Sequence, residues 1–259
     1  MKLLFIRHGD PDYVNDCLTE RGRTEAKLLS EYLDDLLIDQ IFYSPYGRAQ
    51  QTAEYTLKKK GMEGVCLDWL REFDSVIDLN ANPQLKEAYA SAELHKDENG
   101  KYADRIPWDM LPGYLKTHEE LLDSGNWQNS DILLNSALMD VYNDKASRLD
   151  VLLEQYGYKR NGAVYDVVSS SHMTLAFFTH FGTTCALLSH LMHIPLYSLW
   201  QYSCSAPSSI CELVSEEREA GTAVFRMLRF GATVHLERNH LQPSFSARFA
   251  ECYEDKERH

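Results

Sequence analysis

A chain of 259 residues with 44% hydrophobic and 25% charged side chains has the composition of a globular protein, and no apolar stretch nears the roughly 20 residues of a membrane helix. Its 39 acidic against 26 basic side chains leave a net charge of −13, a field that repels polyanions and argues against nucleic acid as a partner. Any anionic ligand therefore needs a local cationic pocket.

Met1–Ile6 carries one lysine and a short apolar run, too little for a secretory signal, so the expected location is the cytoplasm. In chain order, Lys2–Ile6 reads as a strand that stops at Arg7-His8-Gly9. Cys17 is the first of six cysteines (Cys17, Cys66, Cys185, Cys204, Cys211, Cys252) that form no Cys-x-x-Cys pair and are expected to be structural thiols. Thr19 can N-cap a helix to Leu37 with Ala26, Leu29, Leu33 and Leu36 on one face. A second strand, Gln40–Tyr43, ends at Ser44-Pro45 before a helix over Arg48–Lys59; a third, Gly64–Leu67, runs into Asp68 and Glu72.

Residues 75–130 differ in texture. Asn80, Asn82, Pro83, Asn99-Gly100, Pro107 and Pro112-Gly113 break short apolar pieces that carry Trp108, Tyr114 and Trp127. This stretch is expected to be a mostly helical insertion: a cap over the strand ends, a contact between copies of the chain, or a surface excursion with its own small core. Leu133–Tyr156 then reads as a core helix ended by Asn161-Gly162. Leu175–Thr179 is a fourth strand ending at His180-Phe181-Gly182, ahead of a helix over Thr183–Met192. Ile210–Val214 and Ala223–Arg229 alternate as a hairpin at a sheet edge, followed by a charged tail from Gln242. Alternating strands and helices imply βαβ units with a mainly parallel sheet, whose ligand sites lie outside the carboxyl ends of the strands.

Each of those four strand ends carries a titratable or cationic side chain. Arg7 and His8, Arg48 in the first turn of its helix, and His180 ahead of another helix start together make the cationic pocket that the acidic surface does not supply. Such a pocket suits phosphoryl transfer, with a neutral imidazole as nucleophile and guanidinium groups on the equatorial oxygens. Arg7 and Arg48 would lower the pKa of His8 and ready it for attack. Glu72 is the chosen acid for the leaving alkoxide, with Asp74 and Asp10 in reserve. The rival is a metal site on His8, Asp10, Asp12 and His180, which the two arginines oppose. His95, His118, His172, His190, His193, His235, His240 and His259 show no spacing tied to chemistry and are expected to be structural.

Five segments together resemble the histidine phosphatase superfamily, in its phosphoglycerate-mutase-like branch: Ile6-Arg7-His8-Gly9, Leu18-Thr19-Glu20-Arg21-Gly22, the run Ser44 to Ala53, Thr179-His180-Phe181-Gly182, and Gly231 to Leu236. The resemblance implies one domain over residues 1–259, a three-layer α/β/α sandwich with the insertion at 75–130. It also implies a phosphohistidine on His8, with Arg7, Arg48 and His180 holding the phosphoryl group, Glu72 as proton donor, and no cofactor or metal. Phe181 stands where the family usually has glycine. Glu72 lacks the family's Gly-x-Trp-Glu-Gly continuation, and the short spacing from His8 to Leu18 lacks the Phe-x-Gly-Trp stretch of cofactor-dependent mutases. A phosphatase of a small phosphorylated metabolite is therefore expected, with no membrane partner. A phosphoglycerate-type mutase and a non-catalytic phospho-ligand binder are the alternatives.

Overall fold

The structure is a computed structural model that describes residues 1–91, 94–134 and 136–244. Cys252, His259 and the end of the charged tail lie outside the described residues. The first elements are β1 (Lys2–Arg7), a two-strand ribbon of β2 (Pro11–Asp12) and β3 (Cys17–Leu18), α1 (Glu20–Asp34), β4 (Gln40–Tyr43), α2 (Gly47–Lys60) and β5 (Val65–Cys66). Then come the short α3 (Pro112–Leu115) and α4 (Asp131–Leu134), followed by α5 (Leu138–Gln155), β6 (Tyr158–Asn161), β7 (Val164–Val167), β8 (Thr174–Thr179) and α6 (Phe181–Met192). α7 (Leu196–Tyr202), β9 (Ile210–Glu219), β10 (Thr222–Ala232) and α8 (Val234–Glu237) close the described chain.

The α/β class expected from the alternation is the class observed: an eight-stranded sheet in the order β5-β4-β8-β1-β9-β10-β7-β6 with flanking helices. The pairs β5/β4, β4/β8 and β8/β1 are parallel, as crossovers through α1 and α2 require, and the pairs from β1/β9 outward are antiparallel. The sheet is thus mixed. The β9–β10 hairpin does not sit at the edge where its alternation put it, because β6 and β7 extend the sheet beyond it. Those two strands follow the Gly157 break and were not foreseen.

Two packed faces position the parallel half. Leu4 and Ile6 of β1, Ile41 of β4, and Ala176 and Phe178 of β8 meet Leu29 and Leu33 of α1 and Ala53 of α2 in one buried cluster. On the opposite face, Phe177 is stacked between Phe5 and Phe42, with centroids 5.0 and 5.1 Å away, along the register that pairs Phe5 and Phe42 with it. Burial of both faces explains why these strands read as near-continuous apolar runs.

Two compact units are distinguished: Met1–Glu72, Asp150–Thr184 and the chain from Cys204 onward, and Phe73–Leu149 with Cys185–Ser203. The second unit contains the 75–130 stretch, built of short turns: 3-10 helices at Pro83–Ala88, Glu119–Leu122 and Trp127–Asn129, the single turns α3 and α4, and bridges Ile77 to Arg105 and Lys96 to Tyr102. Its core includes the buried Leu85, Tyr114, Leu121 and Trp127. Among the described residues, no helix is long and apolar enough to cross a membrane.

Candidate active site

The parallel register brings four strand ends into line. Arg7, the last residue of β1, pairs with Thr179, the last of β8, and the His8 amide donates to the Thr179 carbonyl at 3.0 Å. His8 and His180 leave neighbouring strands one residue later, and their rings lie 5.1 Å apart between centroids. Both are buried. From β4, Ser44 Oγ lies 2.8 Å from His180 Nε2.

His8 is fixed in one tautomer. Its Nδ1 lies 2.8 Å from the Gly9 carbonyl, which only accepts, so Nδ1 carries the proton and Nε2 keeps the lone pair. Burial is the main cause that holds the imidazole well below its ordinary pKa of 6.5, with the positive charges of Arg7 and then Arg48 acting the same way. Gly9 is needed for close approach rather than for a left-handed turn: a Cβ there would come within 2.7 Å of the Gly22 carbonyl oxygen in the first turn of α1. Gly22 is needed for the converse reason, against the Asp10 backbone. The glycines of Arg7-His8-Gly9 and Leu18-Thr19-Glu20-Arg21-Gly22 are therefore one contact. Thr19 caps α1 as expected, accepting from the Gly22 amide at 3.0 Å.

Arg48 stands in the first turn of α2, its side chain only 9% exposed, with Asp16 bonded to it. Arg7 donates through Nη1 to the Ser205 carbonyl at 2.5 Å, and its guanidinium lies 5.9 Å from the Phe181 ring centroid, which gives a use to the phenylalanine at the usual glycine position. The Nε atoms of Arg7 and Arg48 are buried and, among the described residues, have no hydrogen-bond partner. Glu72 follows the 3-10 turn Asp68–Leu70 and accepts from the Thr183 amide at 3.1 Å, in the first turn of the helix that begins after His180. Two further bonds pin that turn to the end of β8: Thr179 Oγ1 donates to the Leu70 carbonyl at 2.8 Å and Thr183 Oγ1 to the Arg71 carbonyl at 2.6 Å.

The reserve acids have other surroundings. The Asp10 carboxylate accepts from Thr19 Oγ1 at 2.7 Å, and Asp74 lies in the second unit. Asp12 closes its own loop, accepting from the Asn15 side-chain amide and from the backbone amides of Asn15 and Val14, and these bonds hold its carboxyl below the usual range. Among the described residues, no three His, Cys, Asp or Glu side chains form a group that could hold a metal ion. The five described cysteines are free thiols.

Several residues of the site carried no sequence signal. Thr52 Oγ1 accepts from the Gly9 amide at 3.0 Å, and the Glu25 carboxylate, fully buried, accepts from the Asp10 amide at 2.8 Å. Behind His8, the Ser208 amide donates to the His8 carbonyl at 2.9 Å, and Ser208 Oγ lies 2.8 Å from Nε2 of His235. His235, expected to be structural, thus reaches the His8 backbone through Ser208. The bonded partners are 15 to 200 residues apart in sequence, where periodicity says nothing.

Residues 3–108 match the family model described as the histidine phosphatase superfamily, branch 1. Over those residues, less than half of its length, the chain is similar to that family. A stretch of 82 residues is 40% identical to a "probable phosphatase" of Schizosaccharomyces pombe, spanning 28% of this chain and 39% of that protein. Among solved structures, the fold is similar to a mycobacterial glucosyl-3-phosphoglycerate phosphatase at a TM-score of 0.54 and 18% identity, covering 89% of this chain and 98% of that one. It is similar, too, to a phosphoserine phosphatase mutant from Entamoeba histolytica at a TM-score of 0.53 and 14% identity, covering 91% and 98%.

Proposed function

We propose that the chain is a histidine phosphatase that hydrolyses a small phosphomonoester in two steps through a phosphohistidine on His8. In the first, the Nε2 lone pair attacks phosphorus and the ester P–O bond breaks. The departing alkoxide takes a proton from the Glu72 carboxylic acid. In the second, Glu72 as carboxylate removes a proton from water, which attacks the phosphorus; the P–N bond breaks and inorganic phosphate leaves. Arg7, Arg48 and His180 neutralise the equatorial oxygens throughout, where charge stabilisation and positioning do most of the work. The reaction as written needs only these side chains and water.

The observation that carries this reading is the state of the His8 ring. A buried imidazole with Nδ1–H committed to a carbonyl, a lowered pKa and two guanidinium groups nearby is a neutral nucleophile facing cationic charge, which suits attack on a phosphate dianion. The buried, unpartnered Nε groups of both arginines support an oxyanion as the missing acceptor. The superfamily and the names of the similar proteins agree with phosphate-ester hydrolysis.

The test is turnover of p-nitrophenyl phosphate with and without EDTA, together with rapid-quench labelling from a 32P-phosphomonoester. The expected result is EDTA-insensitive phosphate release and an acid-labile, alkali-stable label, both lost in His8→Ala. Absence of turnover across a broad pH range would overturn the hydrolase in favour of a binder, and transfer within a phosphoglycerate without free phosphate would make it a mutase.

A further inference from the structure

Helix α2 has no cap of its own. Tyr46, at the N-cap position, makes no side-chain hydrogen bond to the first turn, whose free amides and dipole call for an anion. That anion comes from the ribbon 31 residues earlier. Asp16, between β2 and β3, accepts from the Gly47 amide through Oδ2 at 2.7 Å and holds Arg48 Nη1 through Oδ1 at 2.6 Å. One carboxylate therefore grips both the backbone and the guanidinium at the start of the helix.

Other features of the ribbon serve the same arrangement. The Arg48 guanidinium lies over two rings, 4.8 Å from the centroid of Tyr46 and 5.3 Å from that of Tyr13. Asp16 itself has φ 46°, a left-handed conformation that only Asn, Asp and Gly adopt readily. Gly47 allows the contact, because a Cβ there would run into the Asp16 carbonyl oxygen. A carboxylate on a guanidinium can either aim it or occupy it. Here only Nη1 is bonded to Asp16, and the buried Nε has no partner among the described residues, so donors remain for a phosphoryl oxygen.

We infer that Asp16 is a positioning residue for phosphoryl transfer, holding the Arg48 guanidinium at the α2 start so that its remaining N–H groups meet the phosphoryl group on His8. The inference rests on the proposed phosphatase reading. It assigns no contact between Asp16 and substrate.

Asp16→Asn is the informative variant, since Asn tolerates the same left-handed backbone and keeps an oxygen for the Gly47 amide while removing the charge on Arg48. Binding of inorganic phosphate by calorimetry, p-nitrophenyl phosphate kinetics and thermal midpoints are measured for the wild type, Asp16→Asn, Arg48→Ala and the double variant. The expected result is phosphate affinity and kcat/KM each lowered roughly 10- to 100-fold in Asp16→Asn, the scale of a misaligned catalytic group, with a midpoint close to wild type. In the Arg48→Ala background the second substitution should then add nothing, as a positioning role through Arg48 demands and a merely structural cap does not. Unchanged or tighter phosphate binding by Asp16→Asn, beside a wild type that binds and turns over normally, overturns the Asp16 assignment alone. A wild type that neither binds phosphate nor hydrolyses the ester removes the phosphatase reading and this one with it. Should the midpoint of Asp16→Asn collapse, the Arg48→Ala pair decides: an equal collapse there marks Asp16 as a structural cap and overturns the inference.

Discussion

Glu72 is held by the Thr183 amide at the first turn of α6, close in sequence to His180, and this placement makes its role testable separately from that of His8. An acid that protonates the leaving group matters only where the leaving group needs a proton. Glu72→Gln should therefore lower kcat for an alkyl phosphate such as glycerol phosphate by about 100- to 10,000-fold, and much less for p-nitrophenyl phosphate, whose phenolate leaves unaided. The comparison of the two kcat ratios checks it; equal losses on both esters would assign Glu72 to binding instead. The contrast between Glu72 and Asp10 marks how far residue-level reading reaches. Its strand-end position could be read along the chain, but the engagement of Asp10 by Thr19 at the cap of α1 could not, because it depends on how the ribbon folds back.

At the scale of elements, β1, α1 and α2 were legible to within a few residues because their signals are local: alternation or continuous apolarity for strands, a Thr cap and i, i+3, i+4 spacing for helices. The ribbon β2–β3, the strands β6 and β7 and the helix α7 were not, since they are short or polar and gain their stability from partners elsewhere. The Gly9–Gly22 contact belongs to this scale as well. Gly22→Ala places a Cβ against the Asp10 backbone, which cannot move aside as a flexible side chain could. The expected outcome is a destabilisation of about 1–3 kcal/mol, the usual scale of overpacking, read from chemical denaturation, together with a loss of turnover as the His8 loop is displaced.

At the scale of the whole molecule, two buried titratable groups set opposing pH limits. Burial pushes His235 down to about 4 from an ordinary 6.5, so the folded state refuses a proton that the unfolded chain accepts. Its contribution is complete above pH 6.5 and falls as the pH drops towards 4, by about 3 kcal/mol. Burial pushes Glu25 up to about 7 from 4.5, against the hydrogen bonds from Asp10 and Arg21. Its contribution is complete below pH 4.5 and is lost as the pH rises through 7, again by about 3 kcal/mol. The two windows overlap, so between pH 4.5 and 6.5 the contributions offset one another and wild-type denaturation midpoints should change little on their account. Glu25→Gln removes the falling contribution alone, so the variant's stability relative to wild type should improve by about 3 kcal/mol between pH 4.5 and pH 7, and a difference independent of pH would contradict the assignment.

Neither group could have been singled out in the sequence, where Glu25 is one acid in an amphipathic helix and His235 one of ten histidines. What the sequence determined by itself was the alternation of strands and helices and the chemistry waiting at four strand ends, because backbone periodicity and strand-terminal residue type are local properties. Only the tertiary structure decided that the parallel register sets His8 beside His180, that Gly9 and Gly22 are one contact, and that Asp16 reaches Arg48, Glu25 the Asp10 amide and His235 the Ser208 hydroxyl. Each of those depends on chain segments distant in sequence being brought within hydrogen-bonding or van der Waals reach, and a one-dimensional pattern holds no information on that distance.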